Sequence, residues 1–110
     1  MGSECIFCKI VKKELGAEIL QESSDVVIFK DIRPSAPVHY LAVFKKHILS
    51  IKEISHADEA LLGHLIHMAK EAAQKLNLIG YKLVFNVGRE GGQIIDHIHL
   101  HILGGWKNNG

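Results

Sequence analysis

The hydrophobic pattern alternates between the two-residue period of strands and the 3.6-residue period of helices. Ile19-Leu20-Gln21-Glu22 and Val26-Val27-Ile28-Phe29 are short β-prone runs joined by the turn-prone Ser23-Ser24-Asp25, and together they predict a hairpin. Arg33-Pro34-Ser35-Ala36-Pro37 follows, and two prolines so close together make a rigid loop. Val38-His39-Tyr40-Leu41-Ala42-Val43-Phe44 resumes as a strand, with His39 on the same parity as Leu41 and Val43. A lone His on such a face is usually a satisfied core or border residue. Ser55 with Asp58 resembles an acidic capping box and predicts a helix from about Ala57 to Leu76. Leu61, Leu65, Met68, Ala72 and Leu76 form its core stripe, and Leu62, Ile66, Ala69 and Ala73 widen it beyond the needs of one sheet face. That surplus predicts a second contact, most simply a homodimer interface. His64 and His67 read as exposed residues of this helix.

Tyr81-Lys82-Leu83-Val84-Phe85-Asn86-Val87 is a further strand, and Gly88-Arg89-Glu90-Gly91-Gly92-Gln93 a glycine-rich loop. The loop leads into His97-Ile98-His99-Leu100-His101-Ile102-Leu103, where strand alternation puts three imidazoles on one face and aliphatics on the other. Imidazole transfers protons near neutral pH, ligates metals and attacks phosphorus or carbonyl carbon. The plainer reading is an edge strand that uses His as its polar residue. At the other end, Cys5-Ile6-Phe7-Cys8 precedes Lys9-Ile10-Val11-Lys12-Lys13-Glu14, a short helix or turn. The Cys-x-x-Cys spacing fits a redox pair, half of a tetrahedral zinc site, or two unrelated small hydrophobes.

Composition narrows the field. The 110 residues suit one domain over 1–110, with 47% hydrophobic and 23% charged residues and a net charge of +1. Scattered Lys and Arg predict no nucleic-acid groove and no membrane-binding face. No apolar run reaches the roughly 18–20 residues of a membrane span, and no signal-peptide pattern opens the chain. Two close Cys do not make a secreted disulfide framework, so a cytoplasmic location is expected.

His97-Ile98-His99-Leu100-His101-Ile102-Leu103 resembles the His-φ-His-φ-His-φ-φ motif, φ being hydrophobic, of the histidine-triad (HIT) proteins. Phe29-Lys30-Asp31-Ile32, Ala36-Pro37-Val38-His39-Tyr40, Lys45-Lys46-His47-Ile48, Asn86-Val87-Gly88 and Gly91-Gly92-Gln93 fall in order at the spacing of its Hint branch. The resemblance implies an α+β fold: a five-stranded antiparallel sheet, one long helix, a short N-terminal helix and a homodimer. It implies a purine-nucleotide hydrolase that cleaves nucleoside 5′-phosphoramidates at the α-phosphate through a nucleotidyl-histidine. Carried over by position, His99 is the nucleophile, His101 polarises the phosphate and His39 is a proton-relay partner. Asp31 would hold the ribose hydroxyls, and Asn86, Gly92 and Gln93 the phosphate. Leu15, Phe29, Ile32 and Leu41 would line the base.

The resemblance extends to the family's zinc-carrying subset, which would place structural zinc on Cys5, Cys8, His47 and His97. Otherwise His97 is a buried hydrogen-bonding member of the triad and the thiols are free. Two positions depart from the pattern. Ile94 stands where the branch usually has Ser or Thr, and Asp96 where an aromatic or apolar residue is commoner. A dinucleoside polyphosphate hydrolase and a nucleotide-binding regulatory module with little turnover are the alternative functions.

Overall fold

The computed structural model describes residues 5–107. In chain order it contains α1 (Ile6–Val11), β1 (Ile19–Glu22), β2 (Val26–Lys30), β3 (Val38–Phe44), α2 (Glu59–Lys75), β4 (Tyr81–Phe85) and β5 (His99–Gly104). The strands form one five-stranded sheet in the order β1-β2-β3-β5-β4, and every neighbouring pair is antiparallel. The α+β architecture is the expected one.

Strand alternation sorts the sheet into two faces. Val26 and Ile28, Tyr40, Ala42 and Phe44, and Leu100 and Ile102 meet Leu65, Met68, Ala69 and Ala72 of α2 in the main core. Val27, Phe29, Leu41 and Val43 turn the other way and meet Phe7 and Ile10 of α1. Register sets the imidazoles on this second face: Val43 pairs with His99 and Leu41 with His101, and directly opposed residues share a side of the sheet. The face under α1 therefore carries both a small apolar cluster and the site.

Element ends differ from the pattern where local chemistry decides them. β5 begins at His99, so His97 and Ile98 lie outside the ladder. The N–H of His97 instead donates to Ile95 O at 2.9 Å, and that of Ile98 to Ile48 O at 2.8 Å. α1 starts at Ile6, with Cys5 as its N-cap, because the Cys5 sulfur accepts from the Cys8 N–H. α2 follows a 3₁₀ turn over His56–Asp58, and the Asp58 carboxylate accepts from the Ser55 N–H at 3.2 Å and hydroxyl at 3.0 Å. The wide stripe of α2 is used mostly within the chain, since Ala69 and Ala73 are buried against it. Only Ile66, 42% exposed, stands out from that stripe. His67 is exposed as expected, but His64 is half-buried and reaches the Ser23 hydroxyl at 3.0 Å. Among the described residues no helix is long and apolar enough to cross a membrane.

Candidate functional site

The fold gathers Cys5, Cys8, His47 and His97 into one cluster whose ligand atoms all lie within 4.8 Å of one another. Cys5 and Cys8 sit on the first turn of α1, and His47 on the connection after β3. The Cys8 sulfur is 3.1 Å from His47 Nδ1 and 3.6 Å from His97 Nδ1, and the Cys5 sulfur is 3.3 Å from the same His97 nitrogen. Zinc bonds of about 2.0–2.3 Å give tetrahedral ligand–ligand edges of roughly 3.3–3.8 Å, so the spacing fits. The proton inventory fits as well. His97 Nε2 lies 2.8 Å from the Phe44 carbonyl, which can only accept, so Nε2 carries the hydrogen and Nδ1 offers its lone pair to the thiols. Burial pulls the His97 pKa down to about 4, which keeps that lone pair available. Burial, then the neighbouring Cys5, pushes the Cys8 thiol up, so a metal would displace a proton there.

The second cluster is ordered by the same logic. His99 Nδ1 donates to the His97 carbonyl at 2.7 Å, which leaves Nε2 unprotonated. Burial holds His99 below the usual imidazole range, favouring the neutral ring. The Phe7 ring covers His99 edge-on, with centroids 5.0 Å apart. His39 Nδ1 accepts from the Ser35 N–H at 3.0 Å, so its hydrogen is on Nε2, 3.0 Å from His101 Nδ1. His101 then carries its own hydrogen on Nε2, which requires the Asn86 amide 3.4 Å away to turn its oxygen, not its NH2, towards the ring. The Asp31 carboxylate lies 3.3 Å from His39 Nε2 and accepts from the Arg33 N–H at 2.8 Å. Burial lowers both His39 and His101, the latter to about 4. Asp31, His39 and His101 are also close enough to ligate a cation. The Ser35 N–H argues against that, because it fixes the hydrogen on the nitrogen that would bind. The arrangement is a hydrogen-bonded pair of imidazoles, His39 and His101, beside a neutral His99 ring whose Nε2 is unprotonated.

The loop between β4 and β5 is held from within. Gly88 (φ 74°) and Gly92 (φ 91°) take the left-handed backbone that favours glycine. The N–H groups of Gly91, Gly92 and Gln93 all return to loop carbonyls. The buried Gln93 amide donates to Leu49 O at 2.6 Å and Ile95 O at 2.9 Å, and accepts from the Gly88 N–H at 2.9 Å. Its donors and acceptor are spent on the protein. The N–H groups of Ile94, Ile95 and Asp96, by contrast, have no acceptor among the described residues. Asp96 forms a two-point pair with Arg89 at 2.9 and 3.0 Å across the loop. Ile94 is 82% exposed and borders an open depression of about 420 Å³ with Ile6, His47 and Ile95.

Of the residues expected around the base, Phe29 and Leu41 are buried in the floor beneath α1. Leu15 and Ile32 are exposed. Sequence reasoning missed Phe7, the Phe44 carbonyl and the Ser35 N–H. Phe7 had a signal, since it lies between the two Cys. The two backbone groups had none.

The fold is thus a small α+β protein that gathers His39, His99, His101 and Asp31 in one cluster beside a separate two-thiol, two-imidazole set. The family model described as scavenger mRNA decapping enzyme C-terminal binding matches residues 4–109. An uncharacterised HIT-like protein of Synechocystis is 44% identical over 106 residues, covering 96% of this chain and 93% of that one. Among solved structures, a HIT family hydrolase from Legionella pneumophila has a TM-score of 0.90 at 45% identity, covering 94% of this chain and 95% of that one. A histidine triad nucleotide-binding protein from Candida albicans has a TM-score of 0.83 at 30% identity, covering 97% and 85%. A zinc-bound histidine triad family protein from Mycobacterium smegmatis has a TM-score of 0.81 at 28% identity, covering 97% and 77%. The chain belongs to the matched family and, with it, to the histidine-triad proteins, in the subset that carries Cys-x-x-Cys.

Proposed function

We propose that the protein is a hydrolase of purine nucleoside 5′-phosphoramidates that works through a nucleotidyl-His99 intermediate. The observation that carries this reading is the His99 ring, whose Nδ1 hydrogen is committed to the His97 carbonyl and whose Nε2 is unprotonated. In the first step Nε2 attacks the α-phosphorus and the phosphorus–nitrogen bond breaks. The leaving amine takes its proton from His101 Nε2 of a His39–His101 pair that has first taken one proton up from solvent, so the pair ends this step neutral. In the second step water attacks the phosphorus and gives a proton back to the pair. His99 departs with its bonding pair, and the nucleoside monophosphate is released. One difficult displacement becomes two easier ones.

Around these atoms, Asp31 accepts from the ribose hydroxyls, and Phe29, Leu41 and Ile32 border the base. Asn86 and the free N–H groups of Ile94 and Ile95 face the charge that builds on the phosphate oxygens. Gly92 and Gln93 shape the loop rather than touch the anion. Zinc would sit on Cys5, Cys8, His47 and His97; four protein donors leave no open position, so it supplies a structural cross-link. A homodimer, with Ile66 in its interface, belongs to the same proposal. A nucleotide-binding module with little turnover is the second reading, favoured by Ile94, an aliphatic residue at a position usually hydroxylated.

The test is release of adenosine monophosphate from a fluorogenic adenosine phosphoramidate, with loss of turnover in His99→Ala. If wild type and His99→Ala are equally inactive while both bind adenosine monophosphate, the hydrolase reading falls and the binding module stands.

A further inference from the structure

We infer that Phe7 is a positioning residue through which the thiol–imidazole cluster controls the nucleophile: α1 is a roof over His99, and metal on the cluster holds it shut. The inference does not rest on the substrate proposed above. α1 has six residues, and an isolated helix of that length does not persist in water. Its two buried side chains, Phe7 and Ile10, hold it to the sheet by contact with Val27, Phe29, Leu41 and Val43. Its other attachment is the cluster itself. Cys5 and Cys8 flank Phe7 in sequence, and their partners His47 and His97 lie 39 to 92 residues away. A metal there would cross-link the roof to the sheet on both sides of Phe7.

Phe7 is the residue that this cross-link aims. Its ring stands edge-on to His99 at 5.0 Å and to His97 at 5.8 Å, and packs on Phe29 at 5.7 Å. It therefore excludes water from the stretch of backbone where the His97 carbonyl accepts the His99 Nδ1 hydrogen. His97 acts on both clusters at once: its ring faces the thiols, and its carbonyl fixes the tautomer of His99. Without the metal, the roof is held by its apolar side chains and by weak thiol–imidazole hydrogen bonds. As it opens, water competes for the carbonyl and the hydrogen of His99 is no longer confined to Nδ1. Metal loading thus sets the pre-organisation of a group that it does not touch.

The experiment compares zinc-loaded and chelator-stripped protein, with zinc-loaded Phe7→Ala as the second variant. Ring ¹⁵N spectra report the tautomers of His99 and His101, and amide hydrogen exchange reports on α1 and on the sheet. In loaded wild type, His99 should carry its hydrogen on Nδ1 alone. Stripping should speed exchange in α1 alone and mix the tautomers of His99. Loaded Phe7→Ala, with its zinc content unchanged, should mix the His99 tautomers as well, while His101 keeps the tautomer of wild type. If stripping unfolds the whole chain, loaded Phe7→Ala decides alone. The inference is overturned if that variant leaves the tautomer of His99 as in wild type, or if stripped, folded protein holds the hydrogen on Nδ1 as firmly as loaded protein does.

Discussion

Replacing Gln93 by leucine separates a structural role from a ligand-binding one. The side chain is 3% exposed and makes three hydrogen bonds, to Leu49 O, to Ile95 O and from the Gly88 N–H. Leucine keeps most of the volume, removes all three bonds and leaves Leu49 O and the Gly88 N–H without partners, while Ile95 O keeps the His97 N–H. At about 1 kcal/mol net per bond, the loss comes to about 3 kcal/mol. Unfolding entropy of about 2.1 cal/mol/K per residue gives roughly 0.2 kcal/mol/K for a chain of this size. The melting temperature should therefore fall by about 10–15 °C. The assay is thermal unfolding of zinc-loaded protein followed by circular dichroism, with calorimetric titration of adenosine monophosphate alongside. An unchanged melting temperature with weakened nucleotide binding would refute the reasoning. It would mean that the amide serves the ligand and the loop keeps its shape without it.

Leu65→Ala removes a fully buried side chain between α2 and the sheet and should destabilise by about 2–5 kcal/mol in urea unfolding. Burial holds His39, His97, His99 and His101 below their ordinary value of 6.5, His97 and His101 at about 4. As pH falls from 6.5 towards 4, the unfolded chain takes up protons that the folded chain refuses. Stability is thus full above pH 6.5 and declines below it, and urea midpoints that stay flat over this range would contradict the assignment. Ile94→Ser should leave the melting temperature unchanged, because the side chain is solvent-exposed, and should raise turnover of an adenosine phosphoramidate. Equal rates would show that the hydroxyl is dispensable in this chain.

Strand alternation made much of the site legible from the sequence. His39, His99 and His101 share a face because each is an even number of residues from an apolar neighbour that points the same way. The ends of β5 were not legible. His97 leaves the ladder because its N–H finds Ile95 O, a contact made by loop shape rather than residue type. The partner of Asp96 was not legible either: its carboxylate meets Arg89 across the loop. Ala69 and Ala73 widened the apolar stripe of α2 on paper, yet both are fully buried within the chain, Ala69 in the core shared with the sheet. Periodicity counts apolar positions without showing how much surface one sheet can bury.

The directions of the imidazoles rest on the main chain: the Phe44 carbonyl for His97, the His97 carbonyl for His99 and the Ser35 N–H for His39. Main-chain groups survive almost every point mutation. Of the single substitutions available at residue 35, only proline deletes the amide, and none at 44 or 97 deletes a carbonyl. The chemistry of the site is therefore buffered against drift in the side chains around it. Its vulnerability lies in changes that shift the path of the backbone.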